Sequence, residues 1–255
     1  MDNPNSKSQH DDFYVGYLPI PREYRKFITA LMITLFIWIA AMAIIIVTTM
    51  RDPGFAIWKT GNVQQWSGTL VESPYPMLIP DNPSESAIFV VSMGKKGAHD
   101  RLSPFFDKHV ILNGFELNRD GRLLIELEED ASAITLDLSK TTTPLSSPTY
   151  IDSTKLIGEI VDGKCYLGAM KPGDGVGHRS CAVLCIRGGL PPMFAAETPD
   201  GSKIYYLLTI NGTTNYSEES LALVGQRVSI TAEHSTLYGL PLLQTSNDQI
   251  TLLSN

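Results

Sequence analysis

One long apolar run lies near the beginning of the chain, and short apolar runs fill the rest. From Phe27 to Met50, 24 consecutive residues include no charged residue, no Gly and no Pro. As a helix this run would be about 36 Å long, enough to cross a hydrocarbon core of about 30 Å. The run is too long for a signal peptide, and TTMRDPGF lacks an A-x-A cleavage site. The pattern predicts one transmembrane helix over residues 27–50, preceded by a tail of residues 1–26.

Beyond residue 50, short runs rich in Val, Ile, Leu, Thr and Tyr are separated by Gly, Pro, Asn and Asp. This pattern is typical of β-strands. The predicted strands are TLVES (69–73), AIFVVSM (87–93), KHVILNGFEL (108–117), RLLIELEE (122–129), LIGEIVD (156–162), KIYYLLTI (203–210), QRVSITAEH (226–234) and LPLLQTS (240–246). The polar, Pro-bearing stretch 140–149 is typical of a linker between domains.

The strand-rich part contains an internal repeat. The matching pairs are GTLVE (68–72) with GEIVD (158–162), AIFVVSM (87–93) with IYYLLTI (204–210), and KHVILNGFELNRDGRLLIEL (108–127) with QRVSITAEHSTLYGLPLLQT (226–245). A short helix fits at the equivalent point of each half, over 99–106 and 217–224. Each half then reads strand, strand, strand, helix, strand, strand, which is the order of a five-stranded OB-type barrel. The sequence therefore predicts a mainly β protein, with one N-terminal transmembrane helix followed by two tandem five-stranded OB-like β-barrel domains.

The domain boundaries that follow are 51–140 for the first domain, 141–152 for the linker and 153–255 for the second domain. The second copy is longer by about 28 residues, because Gly68 and Val110 are 42 positions apart while Gly158 and Val228 are 70 apart. The excess falls before the IYYLLTI strand and includes an insertion over about residues 163–192. Long insertions inside compact domains are often functional, and the loop after the first OB strand is a usual ligand-binding loop.

All three cysteines of the chain lie in this insertion. Residues 177–189 predict a short helix, with Gly188 as the left-handed residue after its end. His178, Cys181 and Cys185 occupy helical positions 0, 3 and 7, so they face the same way. The Gly-rich loop 170–177 is flexible enough to bring Cys165 to the same place.

Three chemical interpretations of this cluster remain open. The first is a metal site with Cys165, His178, Cys181 and Cys185 as ligands, because three thiolates and one imidazole suit zinc and soft ligands also suit copper(I). The second is a disulfide between Cys165 and either Cys181 or Cys185. A bridge between Cys181 and Cys185 is disfavoured, because their Cβ atoms in a helix would be about 5–6 Å apart and a disulfide needs about 3.5–4.5 Å. The third is a redox site in which His178 favours a reactive thiolate.

The segment DGKCYLG (162–168), followed by HRSCAVLCIRGGLPP (178–192), resembles a motif of uncharacterised bacterial membrane-anchored envelope proteins. In that motif a D-x-x-C-Y element precedes an H-x2-C-A-x2-C-x3-G-x-P element. The opening FYVGYLPIP (13–21) and the apolar run also resemble a membrane-anchored branch of the group. The resemblance implies a location in the bacterial cell envelope and implies no activity.

The distribution of charged residues predicts the orientation of the chain in the membrane. Basic residues are more frequent before the apolar run (Lys7, Arg22, Arg25, Lys26) than just after it (Arg51, Lys59). Because positive charge favours the cytoplasmic side, we expect a single-pass protein of the bacterial inner membrane, with a cytoplasmic N-terminus and periplasmic or otherwise extracytoplasmic C-terminal domains. The net charge of −7 disfavours nucleic acid as a partner. The expected partners are the lipid bilayer and other membrane or envelope proteins.

These observations favour a non-enzymatic accessory or assembly subunit of an envelope redox or metal-handling system. Its Cys/His site would bind zinc or copper, or form a structural disulfide. One alternative is a thiol-disulfide oxidoreductase that uses Cys181 or Cys185; another is a purely structural subunit of a membrane complex. The sequence contains no P-loop, no H-E-x-x-H and no G-x-S-x-G.

Overall fold

The computed structural model describes residues 22–49, 55–199 and 202–253. The chain divides into two compact units, Met1–Asp52 and Pro53–Asn255. Among the described residues, one helix is long and apolar enough to cross a membrane. This helix, α1, spans Arg22–Thr49, and its part from Tyr24 to Thr49 has a mean hydropathy of 2.8 with no buried portion. The helix begins five residues earlier than predicted, while Met50 and FYVGYLPIP lie outside the described residues.

The second unit is mainly β, as predicted, and contains two six-stranded sheets. The first sheet consists of β1 Ala56–Val71, β2 Met77–Pro80, β3 Ile88–Val91, β4 His109–Arg119, β5 Arg122–Leu127 and β6 Ile134–Leu136. The second consists of β7 Thr149–Asp162, β8 Pro192–Glu197, β9 Lys203–Ile210, β10 Arg227–Leu237, β11 Leu240–Thr245 and β12 Ile250–Leu252. The helices of this unit are α2 His99–Leu102, α3 Arg179–Arg187 and α4 Glu218–Leu221.

The two sheets have the same pairing order. In the second sheet β7, β8, β9, β11 and β10 pair in sequence and β10 pairs back with β7, so this sheet forms a closed five-stranded barrel. In the first sheet β1, β2, β3, β5 and β4 pair in the same way, and β4 pairs back with β1. The third and fifth strands are parallel in both sheets. The predicted short helices are confirmed as α2 and α4, each between the third and fourth strand of its half.

The hairpins after β4 and β10 show why the two halves share a spacing. Their two-residue turns are Asp120-Gly121 and Tyr238-Gly239, and all four residues have positive φ, at 50°, 80°, 48° and 75°. Two central residues with positive φ define the type I′ turn, whose twist matches that of a β-hairpin. Gly121 lies 11 positions after Val110, and Gly239 lies 11 positions after Val228. The same type of turn therefore accounts for both glycines.

A close approach of strands requires glycine at the first position of each GTLVE-like segment. A Cβ on Gly158 would lie 2.2 Å from the carbonyl oxygen of Ala195 on β8, and one on Gly68 would lie 2.1 Å from that of Ile79 on β2. Because that oxygen belongs to a paired strand, it cannot move aside without disturbing the sheet.

We expect Gly158→Ala to lower the free energy of unfolding of the full chain by about 1–3 kcal/mol, a usual cost of overpacking. Urea unfolding in detergent would measure the loss. Gly61→Ala is the matched control, since a Cβ on Gly61 would meet no atom within 4 Å. If both variants were as stable as the wild type, the close approach at Gly158 would be contradicted.

The hydrophobic core lies in three places. One cluster fills the second barrel, another lies inside the first sheet, and the third joins the two sheets. In the joining cluster Phe89 and Leu117 of the first sheet pack with Val161 and Met193 of the second and with Tyr166 of the insertion. The insertion is therefore part of the core between the sheets.

A buried ion pair also links the insertion to the first sheet. The Nζ of Lys164 donates hydrogen bonds to Glu126 Oε1 at 2.5 Å, to the carbonyl of Gly94 at 2.7 Å and to that of Ser92 at 3.2 Å. The side chains of Lys164 and Glu126 are only 5% and 1% exposed. These bonds hold the loop after β3 against the start of the insertion.

Candidate metal centre

The insertion is the connection between the first two strands of the second barrel. It covers residues 163–191, whereas the equivalent connection of the first sheet covers only 72–76. The additional residues of the second half thus follow its first strand. The insertion begins with a wide helical turn over Cys165–Ala169, continues as a loop, and ends with α3.

Helix α3 places two of the cysteines. It spans Arg179–Arg187, within the predicted range, and buries Ala182 and Ile186 against the core of the second barrel. Cys185 and part of Cys181 pack on the cluster between the sheets. Because these two cysteines are four residues apart, they lie on one face of the helix.

The end of α3 differs from the prediction in one detail. Gly188 has φ of −78°, and the left-handed residue is Gly189, with φ of 89°. The carbonyl of Gly188 accepts a hydrogen bond from the backbone N–H of Gly97 at 2.8 Å, and that of Gly189 accepts one from the hydroxyl of Tyr75 at 2.8 Å. A side chain on Gly188 would collide with the Lys95 carbonyl, 1.9 Å from its Cβ position. The first sheet therefore packs tightly on the end of the helix.

The structure places the predicted ligands in two overlapping groups that share Cys165. One ligand atom from each of Cys165, His178 and Cys181 lies within 4.8 Å of the others, and the same holds for Asp162, Cys165 and Cys185. The Sγ atoms of Cys181 and Cys185 are 4.0 Å apart. Two thiolates bound to one tetrahedral zinc ion at about 2.3 Å would be about 3.8 Å apart. The helical cysteines are thus spaced as two ligands of one ion would be.

The cysteines are free thiols in the structure. The distance of 4.0 Å between the Sγ atoms of Cys181 and Cys185 is about twice the length of a disulfide bond. The predicted bridge between Cys165 and either helical cysteine is also absent.

Asp162, which sequence reasoning did not include among the ligands, is also part of the cluster. It is the last residue of β7 and its side chain is fully buried. Its Oδ1 accepts a hydrogen bond from the backbone N–H of Cys165 at 2.8 Å, and its Oδ2 lies 3.1 Å from Nε2 of His178. The available signal was its place three residues before Cys165, at the end of an apolar strand.

Hydrogen bonds within the cluster change the acidity of its groups. The carboxylate of Asp162 raises the pKa of His178, because it accepts a hydrogen bond from the imidazole. The hydrogen bond between Cys165 and Cys185 raises the pKa of Cys165 and lowers that of Cys185. The same contact would favour a thiolate at Cys185 over one at Cys165.

Lys95 approaches the cluster from the first sheet. A hydrogen bond to Cys181 is the main cause of the raised pKa of Lys95, whose side chain is otherwise exposed. Cys181 is partly exposed, while Cys165, His178 and Cys185 are buried. Solvent thus has better access to Cys181 than to the other predicted ligands. No local pattern marks Lys95 in the sequence, because it is distant from the insertion along the chain.

Comparison of the chain with protein-family models, with curated proteins and with solved structures finds no match at any of the three levels. The class of site therefore follows from its chemistry. Three thiols, an imidazole and a buried carboxylate form a cluster that could hold a metal ion. Sulfur and imidazole nitrogen suit zinc and copper, whereas magnesium and calcium prefer oxygen ligands.

Proposed function

We propose that this protein is a membrane-anchored accessory or assembly subunit that binds one zinc or copper ion through Cys165, His178, Cys181 and Cys185. The observation that carries the proposal is the convergence of three sulfur atoms and one imidazole from two separate segments of the insertion. Burial removes the hydrogen bonds that thiols and imidazole make with water. Bonds to a metal ion would replace them. Helix α1 would anchor the chain in a membrane.

The proposal extends to the fold and to the location of the chain. The shared strand order, with parallel third and fifth strands and a helix before the fourth, supports an OB-like assignment for both halves. The distribution of Lys and Arg supports a cytoplasmic N-terminus and an extracytoplasmic location for the second unit. Its partners would be the lipid bilayer and other proteins of an envelope redox or metal-handling system.

Metal content tests the proposed function. We expect the full chain, purified anaerobically in detergent, to contain about one zinc or copper ion per molecule by mass spectrometry of the elements. Cys181→Ser should lose most of that metal, because it removes one thiolate ligand. Ser180→Ala is the matched control, since Ser180 is an exposed neighbour on the same helix. A wild-type protein without metal, or with a disulfide among its cysteines, would overturn the metal site.

A thiol-disulfide oxidoreductase is the second candidate function. It is favoured by the partial exposure of Cys181 and by the interaction with Cys181 that raises the pKa of Lys95. A nearby ammonium group stabilises a thiolate, which is the reactive form of cysteine. Alkylation kinetics of the metal-free full chain separate the two functions. Rapid labelling of Cys181 near neutral pH, with no metal in the purified wild type, would support the enzyme.

A further inference from the structure

The position of Asp162 determines how His178 can bind a metal ion. The Asp162 side chain is fully buried, and each of its oxygens has one partner in the insertion. A carboxylate can only accept hydrogen bonds, so the hydrogen in the 3.1 Å contact belongs to Nε2 of His178. The neutral imidazole then carries its proton on Nε2, and Nδ1 is left with a free lone pair.

This arrangement matches one that recurs in metalloproteins. A metal-bound histidine usually donates its other ring N–H to a carboxylate or carbonyl, which fixes the ring orientation and makes the bound nitrogen a stronger ligand. The same carboxylate of Asp162 holds the backbone N–H of Cys165, the first cysteine of the cluster. Asp162 therefore contacts two of the four proposed ligands, Cys165 and His178.

The charges around the site favour a divalent ion. Three thiolates and the Asp162 carboxylate would place four negative charges in a mostly buried space, while Lys95 supplies one nearby positive charge. The other neighbouring cation, Lys164, is already paired with Glu126. Since uncompensated buried charge is costly, a divalent ion stabilises this set more than a monovalent ion does.

We propose that Asp162 is a positioning residue that presents Nδ1 of His178 to the metal and thereby makes the cluster a site for four-coordinate zinc. The inference rests on the proposed metal site. Zinc in a structural site takes four ligands, so it needs the imidazole in addition to the three thiolates. Copper(I) is held well by soft thiolates alone, so its binding depends less on the imidazole.

Nitrogen-15 NMR of His178 tests the orientation directly, in the wild-type full chain in detergent. At a pH where the imidazole is neutral, the metal-free protein should show the tautomer with the proton on Nε2. After addition of zinc, Nδ1 should carry the metal. A proton on Nδ1, or zinc bound at Nε2, would overturn the inference even if zinc binds with full stoichiometry.

Metal selectivity tests the role of Asp162. Asp162→Asn should weaken zinc binding about 10–100-fold, the usual effect of losing such a carboxylate. It should weaken copper(I) binding by less than about threefold, because all three thiols remain and the amide oxygen of the variant can still accept the N–H of Cys165. Asp174→Asn is the control, because it removes a partly exposed carboxylate of the same insertion. Equal losses for the two metals, or no loss for zinc, would overturn the inference, whereas a wild type that binds neither metal would overturn the proposed function.

Discussion

Replacement of Lys164 by methionine is expected to lower the free energy of unfolding of the full chain by about 3–5 kcal/mol, the effect of removing one partner from a buried ion pair. The variant leaves the carboxylate of Glu126 buried at 1% exposure without its cation. It also removes the donor to the carbonyls of Ser92 and Gly94. Urea unfolding in detergent, with chelator present in all samples, would measure the loss without a contribution from metal.

Two further variants identify the cause of that loss. Lys203→Met breaks the partly exposed pair with Asp174 and should cost about 1 kcal/mol or less. The double variant Lys164→Met/Glu126→Leu should recover part of the stability, because no unpaired charge then remains in the core. A Lys164→Met protein that is no less stable than Lys203→Met would contradict the buried pair.

Removal of metal is expected to lower the unfolding temperature of the wild-type chain by about 8–16 °C. An ion present at about 1,000 times its dissociation constant stabilises the folded state by about 4 kcal/mol. A unit of about 200 residues changes its unfolding temperature by about 2–4 °C per kcal/mol. Thermal unfolding followed by fluorescence, with zinc or with chelator, would measure the shift.

The response of a ligand variant shows whether this shift comes from the proposed site. Cys185→Ser removes a buried ligand, so its unfolding temperature should respond little to zinc or chelator. Ser180→Ala should respond as the wild type does. An equal response of Cys185→Ser and the wild type would mean that the metal acts elsewhere on the protein.

The parts of the fold that were predictable depend on local physical rules. The apolar run predicts α1 because a span needs an uninterrupted length. The glycines at 121 and 239 recur in the sequence because a type I′ turn needs positive φ at both central residues, which few residue types adopt readily. The predicted order includes a second strand in each half, but the residues of β2 and β8 were not identified, because nearly all of them are buried and no alternation marks them.

The part of the candidate site that depends on a single helix could be predicted from the sequence. The spacing of His178, Cys181 and Cys185 indicates one shared face, since the helical period is fixed. The contributions of Asp162 and Lys95 were not predictable, because they depend on how the insertion folds back on β7 and on how the first sheet packs against it. Tertiary contacts of that kind leave no periodic signal.

The cluster that joins the two sheets also determines which fragments of the protein can fold on their own. The polar stretch before β7 is the natural boundary for separating the two halves. However, Cys165, Tyr166 and Cys185 of the second half share a core with Phe89 of the first half. A fragment that starts at β7 would expose this apolar surface to water and would lack the backbone partners of Lys164. The first half thus covers the apolar surface of the cysteine-bearing insertion, and we expect the two halves to fold as one unit.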